Sequence, residues 1–384
     1  MMIIKIFFVS ILLPLMVVLP SCGKETASNQ PIKNFFALNT PILSFGDDDE
    51  TEKPGAYDSI GNYFVDNGGN VYISDTANFK IDKFHHKGNY LFSFGNKAHD
   101  AIQFPGWIDY FVIDTNENLI AYSPAKRKFL LFTSDGKDFR KKDLNIDLKQ
   151  LRIKKLKIDG NDCLYLLTHS DAMGYQLFKY ATETKEYTLI HTDNQRIRPA
   201  FKDLPPDFDI DAAGNVYITD TIEYRIFKYS INGQLIDTFS KKVKKLKILE
   251  QDFNFLMRQN RVRKIPNYKN AWKELKGASG FFPAIFGIDI DGDRIFVWNS
   301  RQDTERKFLV DVYDMNFKYL RTISYYNEIG SNRVYIKNHR FYIPNFVSDD
   351  IDLNCALGRF GAFNFPYRID VYQISKIILN ESLN

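Results

Sequence analysis

The sixteen residues GNVYISDTANFKIDKF, Gly69 to Phe84, return as GNVYITDTIEYRIFKY, Gly214 to Tyr229, 145 positions further along. A unit that recurs in this way cannot hide its own apolar faces, so its copies must pack on one another. The full unit is an apolar stretch, a Gly or Asp/Asn turn, an alternating strand, a polar loop, a second alternating strand ending in an aromatic, another turn and a short last strand. Its best copies run from Ile60 to Gly95 and from Asp207 to Ser240. Weaker copies start at Trp107 (WIDYFVIDTNENLIAYS, then KFLLFTSDGKDF), Leu156 (LKIDGNDCLYLLTHS, then YQLFKYATETKEYTLI) and Phe286 (FGIDIDGDRIFVWNS, then FLVDVYDMNFKYLRTIS). A sixth starts at Arg333 (RVYIKNHRFYIPNF) and meets its partner YRIDVYQI only after an insertion around Asn345 to Pro366.

The elements are strands. Val71 and Ile73 alternate with Tyr72 and Ser74, the period of two that points successive side chains to opposite faces. Asn116-Glu117-Asn118, Ala213-Gly214-Asn215, Asp291-Gly292-Asp293 and Ser134-Asp135-Gly136 supply the residues that close tight hairpins. Four antiparallel strands at a period of about 40 to 50 residues are the blade of a propeller. The 145-residue offset is three blades of about 48, so six blades set the two best copies opposite each other.

Pro41-Ile42-Leu43-Ser44-Phe45-Gly46 imitates Tyr90-Leu91-Phe92-Ser93-Phe94-Gly95, the last strand of the first full unit, yet precedes that unit. It reads as the outer strand of the sixth blade, given by the N-terminus to close the ring; the other reading is a seventh, degenerate strand with an open edge. The expected fold class is therefore all-β, a six-bladed β-propeller closed by an N-terminal strand. The 33 Phe and 22 Tyr among 384 residues suit such half-buried pleated surfaces and exclude a disordered chain.

The first residues have another purpose. Lys5, the apolar run Ile6 to Leu19 and the small Ser21 before Cys22 form a secretory signal over residues 1–21, too short to span a bilayer comfortably. Leu19-Pro20-Ser21-Cys22 resembles the bacterial lipobox, apart from Pro20 where a small or β-branched residue is usual. That resemblance implies cleavage before Cys22, acylation of its thiol and a place in the cell envelope as an outer-membrane lipoprotein, periplasmic or surface-facing; the alternative is a soluble secreted protein. Residues 22–32 then form a small, polar tether, and 33–384 the propeller. Cys163 and Cys355 are a poor disulfide framework, and the Cys and His spacing matches no zinc pattern. The acidic run Asp47 to Glu52 reads as a solvated loop.

One segment breaks the repeat. Residues 241–281 hold twelve Lys or Arg against Glu250, Asp252 and Glu274, a net +9 in a chain of net +4. Leu249, Phe253 and Leu256, and then Tyr268, Trp272 and Leu275, recur at i, i+4, i+7, so two short amphipathic helices are expected in this basic insertion. It is read as a solvated cover over the blade junction, a contact for anionic lipid or acidic glycan, or a protein dock. An exported chain is not placed to meet nucleic acid, whatever its charge.

The units resemble NHL repeats, through the Gly-Asn-Val-Tyr-Ile-x-Asp-Thr core at Gly69 and Gly214, the strand Arg225 to Tyr229 and the strand from Gly233 to Phe239. The whole chain is similar to six-bladed propeller lipoproteins frequent in Bacteroidota and some spirochaetes. The resemblance implies a binding scaffold, while a minority of related propellers are enzymes, such as lactonases with a channel metal and peptide-amidating lyases. Fold alone does not choose between these.

Candidate residues follow from the repeat. Asp75, Thr76, Asp220 and Thr221 stand where the second strand meets its loop, and their short oxygens suit bonds that hold that loop in shape. Equivalent positions, including Ser123, His169 and Asn299, predict a polar ring on one face. His169, Trp298 and Asn299, with Arg359 and Phe360 of the long loop, are the candidate ligand-binding residues, since Arg and aromatic groups anchor binding patches. Asp289-x-Asp291-Gly292-Asp293 superficially resembles a calcium loop but lacks the downstream Glu, and a hairpin belongs there. Gly-x-Ser-x-Gly is absent. The expected function is that of a monomeric, lipid-anchored binding module for a protein, peptide or glycan, with no cofactor and no catalytic residue assignable. The alternative is a Ca- or Zn-dependent hydrolase or lyase, lactonase-like, with its site in the central channel.

Overall fold

The computed structural model describes residues 41–45, 57, 60–76, 78–95, 104, 108, 110–123, 127–134, 139–140, 151–170, 172–193, 205–220, 222–244, 284–302, 308–325, 335–345 and 368–374. Cys22, Thr221, Arg359, Phe360, the helices expected in the basic insertion and the long loop after Asn345 lie outside them.

The described chain is a six-bladed, all-β propeller. A short strand β1 (Leu43–Phe45) comes first. Blade 1 is β2 (Ile60–Val65), β3 (Val71–Asp75), β4 (Lys80–Phe84) and β5 (Tyr90–Phe94). Blade 2 is β6 (Tyr110–Ile113), β7 (Leu119–Ser123), β8 (Lys128–Phe132) and β9 (Phe139–Arg140). Blade 3 is β10 (Arg152–Ile158), β11 (Leu164–Ser170), β12 (Gly174–Ala181) and β13 (Glu186–Asp193). Blade 4 is β14 (Phe208–Ile210), β15 (Val216–Thr219), β16 (Arg225–Tyr229) and β17 (Leu235–Ser240). Blade 5 is β18 (Ile285–Asp291), β19 (Arg294–Gln302), β20 (Phe308–Asp314) and β21 (Tyr319–Tyr325). Blade 6 is β22 (Tyr335–Lys337), β23 (Arg340–Asn345) and β24 (Arg368–Gln373), completed by β1.

The first strands touch their counterparts in neighbouring blades and line the axis, while last strands such as β13 and β17 form the exposed rim. Connections between first and second strands and between third and fourth strands lie on one face, here the turn face. Those between second and third strands lie on the other, the loop face.

Six apolar clusters hold the ring, one at each seam. Phe94, Phe111 and Phe132 fill the seam of blades 1 and 2, for example, and Phe296, Trp298 and Phe341 that of blades 5 and 6. This is the physical reason for the repeat: each sheet face is covered only by the next blade, and every fully buried Phe or Leu contributes about 1.5–3 kcal/mol. The sixth seam closes as the N-terminal copy predicts. Leu43, Ser44 and Phe45 pair antiparallel with Val371, Asp370 and Ile369, and the Ser44 hydroxyl donates to Asp370 Oδ1 at 2.6 Å.

The repeated Gly-Asn-Val-Tyr is explained by an Asp that precedes it. Asp66 and Asp211 each accept, on one oxygen, the backbone N–H four residues on, and on the other the Nδ2 of that same residue, Asn70 or Asn215. The hydroxyls of Tyr72 and Tyr217 donate to the same carboxylates at 3.2 Å. Blades 2 and 3 repeat the turn around Asp114 and Asp159. The residue three after the Asp has positive φ in all four, with Gly69 and Gly214 in two and Glu117 and Asp162 in the others. Glycine takes that left-handed conformation without the penalty a side chain brings.

A second repeated acid ties strands and blades together. Asp82, Asp311 and Asp370 are buried in third strands and each accepts from a hydroxyl on its fourth strand: Ser93, Thr322 and Ser44. Tyr57 donates to Asp82 at 3.0 Å, and Tyr224 of blade 4 donates to Asp311 of blade 5 at 2.7 Å.

Candidate functional site

Near its turn each first strand carries an apolar residue, Val65, Ile113, Ile158, Ile210, Ile290 or Ile336, and the residue before it lies at the same height in every blade. The strand registers identify these as Phe64, Val112, Lys157, Asp209, Asp289 and Tyr335, opposite Tyr72, Ile120, Tyr165, Tyr217, Phe296 and Tyr342. Four of the six bear polar groups, and those four meet in the channel. The Lys157 ammonium lies 2.5 Å from Asp209 Oδ1 and 5.3 Å from the ring centre of Tyr335. The layer above repeats the chemistry, with Lys155 paired to Asp207.

The acids are also held from blade 5. Asp207 Oδ2 accepts the N–H of Ile288 and Asp209 Oδ2 that of Ile290, both at 2.9 Å. Asp289 Oδ2 accepts the indole N–H of Trp298 at 2.7 Å. Gly287 makes room for this arrangement, since a Cβ there would stand 3.1 Å from Asp207 Oδ2 and 3.3 Å from Trp298 Cδ1.

Charge is divided unequally in the cluster. Burial alone would push the Asp209 carboxyl up, but Lys157 and Lys155 hold it below its ordinary value. Burial would lower Lys157, and Asp209 and Asp289 instead raise it. Burial dominates at Asp289, which rises to about 7 although the lysines oppose it. Burial, Asp209 and Asp289 keep the Tyr335 phenol protonated well beyond its usual range. Lys155 and Lys157 thus pair with Asp207 and Asp209, while burial favours the protonated form of Asp289.

The Asp289 to Asp293 stretch forms a hairpin, with Asp291 opposite Arg294 and Gly292 at φ +58. Its three carboxylates go to separate partners: Asp289 to Trp298, Asp293 to Arg294, and Asp291 to the backbone N–H groups of Asn338 and His339 at 2.8 and 2.6 Å. No group of three His, Cys, Asp or Glu suited to a metal occurs among the described residues.

On the loop face, Asp75 accepts the backbone N–H and Nδ2 of Asn78 at 3.0 and 2.9 Å, and burial raises its pKa. Thr76 packs its methyl against Gly61, where an added Cβ would be 2.3 Å away. Asp220 accepts the N–H groups of Ile222 and Glu223 at 2.7 and 3.1 Å. His169 is the last residue but one of β11, buried beside Tyr175 with ring centres 4.8 Å apart. Trp298 and Asn299 are on blade 5, which does not adjoin blade 3, and both are withdrawn from the surface. Trp298 is 5% exposed and packs edge-on against Phe341, and Asn299 is fully buried.

The channel residues Lys155, Lys157, Asp207, Asp209 and Tyr335 were not among the sequence candidates. The available signal was an ionisable residue alternating with apolar ones in a first strand, as in Leu156-Lys157-Ile158 and Phe208-Asp209-Ile210.

No protein-family model and no curated protein matches the chain. Solved structures do resemble it. A Bacteroides fragilis NCTC 9343 protein assigned as exported is 14% identical, with a TM-score of 0.49 over 86% of this chain and 94% of that one. Regucalcin, a calcium-binding protein of Agrobacterium tumefaciens str. C58, is 12% identical, with a TM-score of 0.45 over 82% of this chain and 92% of its own. A streptogramin B lyase is 9% identical, with a TM-score of 0.45 over 84% and 82%.

Proposed function

We propose that this chain is an exported, lipid-anchored propeller that works as a monomeric binding module, offering its loop face to a protein, peptide or glycan. The observation that carries this reading is the partnering of the channel acids. Asp207 and Asp209 are each taken by a lysine and a backbone N–H, and Asp289 by the Trp298 indole. A catalytic cation there would have to displace Lys155 or Lys157, whose ammonium groups already supply the positive charge. The channel then serves as a fixed polar plug, and the loop face, where Asp75 and Asp220 bond their own loops, is the surface left for recognition.

The competing reading is a metal-dependent hydrolase or lyase. The two separate on protein purified without chelator and probed for bound metal, for lactone and ester hydrolysis, and for retention on peptide and glycan arrays. The binding reading expects selective retention unaffected by EDTA. Stoichiometric Ca²⁺ or Zn²⁺ with chelator-sensitive turnover would overturn it.

A further inference from the structure

We propose that the turn face at the seam of blades 6 and 1 docks on an anionic phospholipid surface. The registers give the direction first. Leu43 pairs with Val371, and Arg340 with Gln373, so the N-terminal end of β1 lies at the turn face, beside the Lys337 to Arg340 hairpin. The loop face is at the other end of these strands.

Three turns meet at that end of β1. Leu43 packs on Gly88, where an added Cβ would lie 2.6 Å from Leu43 Cδ1. A Cβ on Gly69 would stand 3.2 Å from His86 Cβ and 3.6 Å from Asn338 Nδ2, and Arg340 Nη1 donates to the His86 carbonyl at 3.4 Å. Together the turns present Lys87, Lys337, Arg340, His85, His86 and His339. Loss of hydration lowers the His86 pKa, and the charges of His85, Lys87 and Arg340 lower it further against Asp66.

The nearby acids are engaged within the turns. Asp66 holds Asn70 and Tyr72, and Asp291 holds two backbone N–H groups and lies 3.1 Å from His339 Nδ1. Beside the cations the rim exposes Ile42 at 52%, Leu91 at 44% and Tyr90 at 39%. Apolar tips next to cations fit a bilayer interface, where each Lys or Arg near an anionic surface adds about 1 kcal/mol. The rim of blades 3 and 4 exposes Tyr187, Leu189, Leu235 and Ile236, but Glu183, Glu186 and Asp237 accompany them, which an anionic surface repels.

The inference borrows the anchored reading for one purpose. Eighteen residues separate Cys22 from Pro41, a reach of at most about 65 Å, so an anchored chain would keep this seam at high local concentration over lipid. A weak patch then suffices to orient the propeller with its loop face outward.

The test uses the processed chain from position 22 carrying Cys22→Ala, so that no acyl group contributes. It is sedimented at low salt with phosphatidylcholine vesicles, with and without phosphatidylglycerol. We expect at least fivefold more bound protein on the anionic vesicles, lost in the folded Lys87→Glu/Leu91→Ser double variant and kept in Tyr187→Ser/Leu189→Ser. Equal sedimentation on both vesicles overturns the proposal. So does anionic binding that the double variant retains, which would assign lipid contact to another surface such as the 241–281 insertion. Neither result bears on Cys22 acylation, which fractionation of cells tests separately.

Discussion

The ammonium of Lys157 in blade 3 lies 5.3 Å from the ring centre of Tyr335 in blade 6, although those blades face each other across the axis. The channel at this height is therefore filled by side chains of the ring itself. Removing Lys157 leaves Asp209 and Asp289 without their shared cation. Lys157→Met should cost about 3–5 kcal/mol in urea denaturation, because a buried charge is left unpaired. Adding Asp209→Asn should return much of that loss.

Asp289 makes stability depend on pH. Its folded pKa of about 7 exceeds the ordinary carboxylate value of 3.8, so the folded state binds the proton more tightly than the unfolded state does. Its contribution is fully present below about pH 4 and is lost as pH rises to about 7. Asp209 acts oppositely, but in the window below its ordinary value. Unfolding free energy measured between pH 4 and 7 should therefore fall relative to Asp289→Asn. A constant difference between the two proteins would refute the assignment.

The repeated turn has a measurable worth. Asp211 accepts four bonds, from the N–H groups of Ala213 and Asn215, from Asn215 Nδ2 and from the Tyr217 hydroxyl. Asp211→Ala removes both acceptor oxygens, and with them all four bonds, and should destabilise by about 1–3 kcal/mol, read as a lower urea midpoint. Tyr217→Phe removes one bond and should cost about 1 kcal/mol or less.

Fractionation tests the anchor. Cells producing Cys22→Ala should release the chain into the soluble fraction at ordinary ionic strength, where the seam alone binds too weakly to hold it. Persistent membrane association at that ionic strength would contradict acylation at Cys22.

Much of the ring was legible in the sequence because its cause is local. Alternating strands and turn residues recur within each blade, and the Pro41 to Gly46 copy announces the closing strand by matching Tyr90 to Gly95. The channel was not legible, because Lys157, Asp209, Asp289 and Tyr335 become neighbours only through the register of four separate strands. Their chemistry also differs from blade to blade, so no repeat betrays them. The buried acids left a readable trace in Ile81-Asp82-Lys83-Phe84, Val310-Asp311-Val312-Tyr313 and Ile369-Asp370-Val371-Tyr372, where one carboxylate interrupts an apolar alternation. Trp298 looked like a surface anchor from its place late in a second strand. Its side chain is instead covered by Phe341 of blade 6 and bonded to the Asp289 carboxylate of its own blade.

The claim that recognition belongs to the loop face is tested most directly by photo-cross-linking in the producing cell. Cross-linkers replace Met173 and Glu223 on the loop face, or Asn116 and Ala213 on the turn face. Adducts with a protein, peptide or glycan from the first pair, and none from the second, are the predicted result. The same adducts arising only from Asn116 and Ala213 would contradict it.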